Sequence, residues 1–284
     1  MHIREENNRL FLQHGPIDIV IEAIGKDQEL AYKKVKKYFE NLLLNLVKDL
    51  RLLKKEVQYN RKFKNVIAQK MQLATQEFYP EFITPMAAVA GSIADSILEV
   101  LTNGFDLQKA YVNNGGDVSF YLSKGQKMKS SIASMENTFT EIKYNHKSRG
   151  IATSGWKGRS FSFGVADSVT VLANNAAMAD AAATMIANSV DIKDHYLIKK
   201  QMAKDLYDDS DLLNKMVTVE VGDLSKKDVL KAIENGHMQA TKYLHKNLIN
   251  SALIQLRGYF CIVQNVSSQL DINHQSSLKE VNFG

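Results

Sequence analysis

The chain has 284 residues, of which 45% are apolar and 24% charged, and its net charge is +5. These totals are ordinary for a globular protein and leave room for one large domain or two small ones. A single cysteine, Cys261, excludes an internal disulfide and a thiolate metal site. No run approaches about 18 uncharged apolar residues, so no membrane span is expected.

The amino-terminal "MHIREENNRLF" is charged and lacks an apolar signal core, which points to a cytoplasmic location. "RLFLQHGPIDIVIEAIG" is two apolar runs split by His14-Gly15-Pro16 and reads as a β-hairpin. From Gln28 to Lys55 the period becomes helical. Leu30, Val35, Tyr38, Phe39, Leu42, Leu46, Leu50 and Leu53 fall on one broad stripe. The basic residues concentrate between Lys26 and Lys70, interleaved with apolar ones, as in "YKKVKKYF". That pattern reads as the solvated face of amphipathic helices, so no nucleic acid is expected as a partner; the lack of a long apolar run sets the same expectation for a membrane. The Lys26–Lys55 helix is also a candidate homodimer surface.

A second helix is expected over Phe63 to Phe78, with breaks at Pro80 and Pro85. "MAAVAGSIADSILEVLTNG" is a third, ended by Asn103-Gly104. "KAYVNNGGDVSFYL" then reads as two strands around a tight Asn-Gly-Gly turn. Further strands are expected around Lys127–Ala133, Thr138–Tyr144, Ser160–Phe163 and Ser168–Ala173. An alanine-rich helix follows, capped by Asn174 or Asn175. Beyond Val190 the sequence reads as polar and helical. "LINSALIQLRGYFCIVQN" returns to strand with Cys261 as a small core residue, and the tail from Val266 reads as polar and disordered at its end. Helices and strands in blocks, with hairpin connections, argue for an α+β fold with largely antiparallel sheets flanked by helices.

Between Gly150 and Val190 there are only four charged residues, Lys157, Arg159, Asp167 and Asp180. Asp180 and Thr184 lie one helical turn apart on the alanine helix "AMADAAATMIA". Two readings are open. Asp180 pairs with a lysine while Thr184 bonds back to a helix carbonyl. Alternatively, both hold Mg²⁺ against a pyrophosphate drawn to the free N–H groups of the helix start. "NNGGD" is a tight turn, or glycines lying under a ligand with Asp117 as a second acid. "ATSG", Ala152 to Gly155, is a candidate anion loop. "PMAAVAGSIAD" is explained by tight helix packing around Gly91.

Taken in order, "PMAAVAGSIAD", "YVNNGGDVSFYL", "GIATSG" and "SVTVLANNAAMADAAATMIANSV" resemble the ApbE-like proteins, most of all their uncharacterised UPF-type subfamily. The resemblance covers Gly15 to about Val190 and implies one α+β domain over residues 1–265, with 266–284 as the tail. It implies an FAD:protein FMN transferase, which cleaves the FAD pyrophosphate with Mg²⁺ and attaches FMN to a threonine of a target flavoprotein. Asp180 and Thr184 match that family's metal ligands. Asp117 joins Asp180 as a candidate catalytic acid. Asn114, Gly115, Gly116 and Asp117, with Thr153, Ser154 and Gly155, match its flavin-binding blocks. The sequence departs from the family at two places: "VAGS" stands where transferases carry an IAKG-type lysine, and "FSFGVAD" where they carry an HIIDP-type histidine. A non-catalytic flavin or small-ligand binder, or a different small-molecule enzyme on the same scaffold, are the alternative readings.

Overall fold

The computed structural model describes residues 1–131, 139–265, 271–273 and 279–283. The chain forms two compact units. The first comprises residues 1–128, 142–152 and 173–180, and the second the rest of the described chain.

The first unit opens with β1 (His2–Glu6), β2 (Arg9–His14) and β3 (Ile17–Gly25). β1 is a charged, exposed edge strand that the sequence pattern does not reveal. It pairs with β2 from His2↔Gln13 to Glu6↔Arg9. Helix α1 (Gln28–Val47) buries Val35, Phe39, Leu42 and Leu46. The expected Gln28–Lys55 helix breaks at Lys48-Asp49, where the Asp49 carbonyl starts a separate turn, α2 (Leu50–Leu53). Leu30, expected in the core stripe, is exposed instead.

Helix α3 (Val66–Gln76) is capped by Asn65, whose side chain accepts from the Ile67 and Ala68 amides. A 3-10 turn over Pro85–Ala88 leads into α4 (Val89–Thr102). Among the described residues, Pro85–Thr102 is the segment long and apolar enough to cross a membrane. Its Ile93, Ala94, Ile97 and Leu101 are buried in the core of this unit. β4 (Leu107–Asn114) and β5 (Asp117–Leu122) form the expected hairpin. Gly115 and Gly116 supply the positive φ that its two-residue turn requires.

β6 (Lys127–Ser131) and β7 (Phe139–Lys143) follow. The rest of the expected Lys127–Ala133 strand, and Thr138, lie outside the described residues. β8 (Gly150–Ser154) pairs antiparallel with β5 through Ile151↔Val118. The first unit's sheet therefore runs β1-β2-β3-β4-β5-β8, all antiparallel. α1 and α4 pack on one face of it.

β9 (Ser168–Ala173), of which all but Ala173 belongs to the second unit, precedes α5 (Ala176–Ser189), whose residues up to Asp180 belong to the first unit and whose remainder belongs to the second. Residues Ser160 to Phe163, expected as a strand, form an irregular loop. The Asn188 side chain accepts from the Phe163 amide at 2.8 Å, so a side chain takes the role a neighbouring strand would play. The region beyond Val190, expected as helical throughout, holds β10 (Ile198–Met202), the short α6 (Ala203–Leu206) and β11 (Met216–Val221). β10 and β11 pair antiparallel. Helix α7 (Lys226–His245), capped by Ser225, packs on β12 (Ser251–Leu256) and β13 (Tyr259–Gln264). Cys261 is buried in β13, as expected.

The tail adds β14 (Asp271–Asn273) and β15 (Lys279–Glu280). β15 pairs parallel with β13, and Phe283 packs on His237, so residues 279–283 are ordered by contact where disorder was expected. Residues 266–270, 274–278 and 284 lie outside the described residues. Both units are α+β, with largely antiparallel sheets flanked by helices.

Candidate functional site

The start of α5 lies against α4 with no side chain between them. A Cβ added to Gly91 would stand 2.2 Å from the Ala176 carbonyl oxygen. This contact carries out the tight packing expected of "PMAAVAGSIAD". It also brings Asp95, one turn further along α4, under the open end of α5. Asp95 Oδ1 accepts from the Ala176 amide at 3.0 Å and from Ser119 Oγ at 2.6 Å; Oδ2 accepts from the Ala177 amide at 2.9 Å.

Asn175 completes the cap. Its side chain accepts from the Met178 amide at 2.8 Å, and its carbonyl from the Ala179 amide at 3.2 Å. The N–H groups expected to face a pyrophosphate are therefore all satisfied within the protein, and the helix start is not an anion site. The reason lies 81 residues away in the chain, in Asp95.

Asp180 is half-buried one turn into α5, and its Oδ2 accepts from the Gly91 amide at 3.0 Å. No lysine or arginine among the described residues forms an ion pair with it. Burial, then the neighbouring Asp117 charge, push its carboxyl well above the usual carboxylate range. The amides of Gly91 and Ala90 pull it down, and Asp95 adds a further upward push. Burial also raises Asp95, against the hydrogen bonds from Ser119, Ala177 and Ala176 and the charge of Lys70.

The glycine turn is tied internally. The Gly116 amide donates to Asn113 Oδ1 at 2.8 Å and the Gly115 amide to the Asp18 carbonyl at 3.2 Å. Asn114 is buried and donates to the Ala90 carbonyl at 3.1 Å, fastening the hairpin to α4. Asp180, Asp117, Asn114 and Gly91 thus form one corner of the first unit.

A cleft of about 510 Å³ opens beside Asp95, lined by Lys70, Leu98, Tyr121, Arg149 and Met178 among others. Its charged groups are already engaged. Lys70 pairs with Glu99 at 2.5 Å, and the Arg149 guanidinium donates to the carbonyls of His146, Ser148 and Tyr144.

In the second unit, Thr153 and Ser154 end β8, and the two hydroxyls of Thr153 and Thr170 lie 2.9 Å apart. Gly155 is buried against the Asp167 carbonyl, where a Cβ would stand 2.5 Å from the oxygen. Thr184 is half-buried on α5, four residues beyond Asp180.

Among the described residues no three His, Cys, Asp or Glu side chains group to hold a metal. Asp180 and Thr184 offer a carboxylate and a hydroxyl, hard oxygen donors that fit Mg²⁺ rather than a soft metal, and neither is sealed in hydrocarbon. Asp95 is the residue that sequence reading missed as a partner of this corner. Its only local signal is an acid set among the small and apolar residues that open α4.

Comparison with known proteins gives one family and several relatives. A family model described as AbpE bacteria matches residues 1–262. A UPF0280 protein of Methanobrevibacter smithii is 33% identical over 183 residues, covering 61% of this chain and 75% of that protein. UPF0280 proteins of Methanothermobacter thermautotrophicus and Methanococcus maripaludis are 39% and 42% identical over 113 and 115 residues. Those alignments cover 38% and 37% of this chain and 43% and 45% of the relatives. Among solved structures, the apo form of the Pseudomonas stutzeri flavinyl transferase ApbE aligns over 94% of this chain and 96% of its own, with a TM-score of 0.46 and 11% identity.

Proposed function

Because the chain belongs to the AbpE bacteria family, an ApbE family, we propose that it is an ApbE-like enzyme acting on FAD or a related nucleotide with Mg²⁺. Its reaction on this reading is transfer of FMN to a threonine of a target flavoprotein, in the cytoplasm, by one domain spanning residues 1–265. The observation that carries the reading is Asp180. It is a half-buried acid with no basic partner among the described residues, set beside two further acids, Asp117 and Asp95. Such a group is costly to keep charged unless a cation joins it. Asp180 and Thr184 would hold that cation, which when bound neutralises pyrophosphate charge as the bond breaks. Asp117 is the second acid of the corner. Thr153, Ser154 and Gly155, with the Asn114–Asp117 hairpin, are the proposed nucleotide contacts.

The test is incubation with FAD and Mg²⁺, scored for AMP release. Release is expected from the wild type and lost on removal of Mg²⁺ or in Asp180→Ala. No release from the wild type, or full release from Asp180→Ala, would remove the enzyme reading.

A second reading is favoured by two observations. The α5 amides are taken by Asp95 and Asn175, and the IAKG-type lysine and HIIDP-type histidine are missing. It makes the protein a non-catalytic binder of a flavin or another small ligand, or a different small-molecule enzyme. Saturable FAD binding without AMP release would support the binder, and no thermal shift with FAD the different enzyme.

A further inference from the structure

Residues 26 to 70 hold thirteen Lys and Arg against five Asp and Glu, a net charge of +8. The whole chain is only +5, so the remainder is net acidic. The structure puts this charge in the open. Lys33, Lys34, Lys37, Lys48, Arg51 and Lys55 are all exposed on α1, α2 and the residues around them, flanked by the exposed acids Glu29 and Glu40. The apolar side of α1 is spent on the core through Val35, Phe39, Leu42 and Leu46. Yet Leu30 and Leu44 are each 60% exposed, Val47 48% and Leu52 42%.

Along α1 and its C-cap, Leu30, Lys34, Lys37, Asn41, Leu44 and Lys48 follow one another at three- and four-residue steps, and Arg51 and Lys55 are exposed on α2 and just beyond it. Bare leucines and cations therefore share one outward stripe.

We propose that this outward face of α1 and α2 docks on an anionic lipid surface. Clusters of about 4–8 Lys and Arg on an amphipathic helix are drawn to acidic headgroups. The leucines decide among anionic partners. A phosphate backbone offers aliphatic side chains nothing, whereas the headgroup–acyl boundary takes them out of water. A second copy of the chain would bring two strongly basic faces together, which like-charge repulsion opposes. Protein interfaces are in addition depleted in lysine, the commonest cation here. The face is distinct from the Asp180 corner, and the proposal does not rest on the enzyme reading.

The test is cosedimentation of the full chain with phosphatidylcholine vesicles, with and without phosphatidylglycerol, in low salt. Binding is expected only with phosphatidylglycerol. The triple variant Lys37→Glu, Arg51→Glu, Lys55→Glu should weaken it by roughly a hundredfold. The double variant Leu30→Ser, Leu44→Ser should weaken it by roughly tenfold while leaving retention on heparin unchanged. All five side chains are exposed, so each variant should melt like the wild type. Absence of binding would overturn the proposal. So would a leucine variant that binds vesicles like the wild type, or single-stranded DNA bound as tightly as lipid; either would make the face a general polyanion surface.

Discussion

At Asp180, folding places a carboxylate where burial and the Asp117 charge favour its protonated form. An acid with a raised folded value holds a proton that the unfolded chain gives up near pH 4. Its contribution is therefore fully present below that pH and is lost as pH rises through the folded value. Asp95, raised mainly by burial, acts in the same direction. In chelator, the wild type should lose thermal stability as pH rises above about 4, the unfolded carboxyl value. Asp180→Asn should flatten that slope and raise stability at neutral pH by on the order of 1 kcal/mol, a shift of a few degrees in Tm. Mg²⁺, which binds only the ionised group, should stabilise the wild type at neutral pH and not the variant. Melts followed by circular dichroism across pH decide this. An Asn variant no more stable than the wild type at neutral pH would mean that the charged carboxylate is not strained there.

Between elements, the decisive contact is that of α4 with the start of α5. Gly91→Ala drives a methyl group into the Ala176 carbonyl, and backbone on both sides leaves no flexible end to give way. The helices must separate, at about 1–3 kcal/mol. Asp95→Ala leaves the Ala176 and Ala177 amides and the Ser119 hydroxyl without their acceptor, at about 2–4 kcal/mol. Asp95→Asn keeps one acceptor oxygen and turns an NH₂ toward a donor, so its loss should fall between the wild type and Asp95→Ala. Urea denaturation ranks the three, and an Asp95→Ala midpoint equal to the wild type would show the tie to be inert.

This junction also marks where sequence reading ends. Strong periodicity gave α1, α3 and α4, and Asn-Gly-Gly gave the β4–β5 turn, because those signals are local. The Asn175 cap and the helix that carries Asp180 and Thr184 one turn apart were legible for the same reason. Asp95 capping a helix 81 residues later was not, since nothing near Asp95 names its partner. The exposed, charged strands β1 and β10 escaped notice because neither has a buried face to impose alternation. The break between α1 and α2 falls inside an unbroken apolar period, where only backbone hydrogen bonds reveal it.

Over the whole molecule, charge and apolar surface are distributed unevenly, and the two lead to different kinds of membrane contact. The apolar segment long enough to span a bilayer, Pro85–Thr102, has Ile93, Ile97 and Leu101 committed to the core and carries Asp95, whose oxygens are spent on α5. Inserting it would require the first unit to unfold and would leave a carboxylate in hydrocarbon, which costs several kcal/mol by itself. The basic face of α1 and α2 needs no rearrangement to meet acidic headgroups. Attraction between exposed charges is screened within about 10 Å at moderate salt. Protein bound to phosphatidylglycerol vesicles should therefore be released completely by high salt, and protease should leave no lipid-protected fragment containing residues 85–102. A salt-resistant, protected fragment would mean that α4 leaves the core to enter the bilayer, and the packing of the first unit would then have to be marginal rather than dominant.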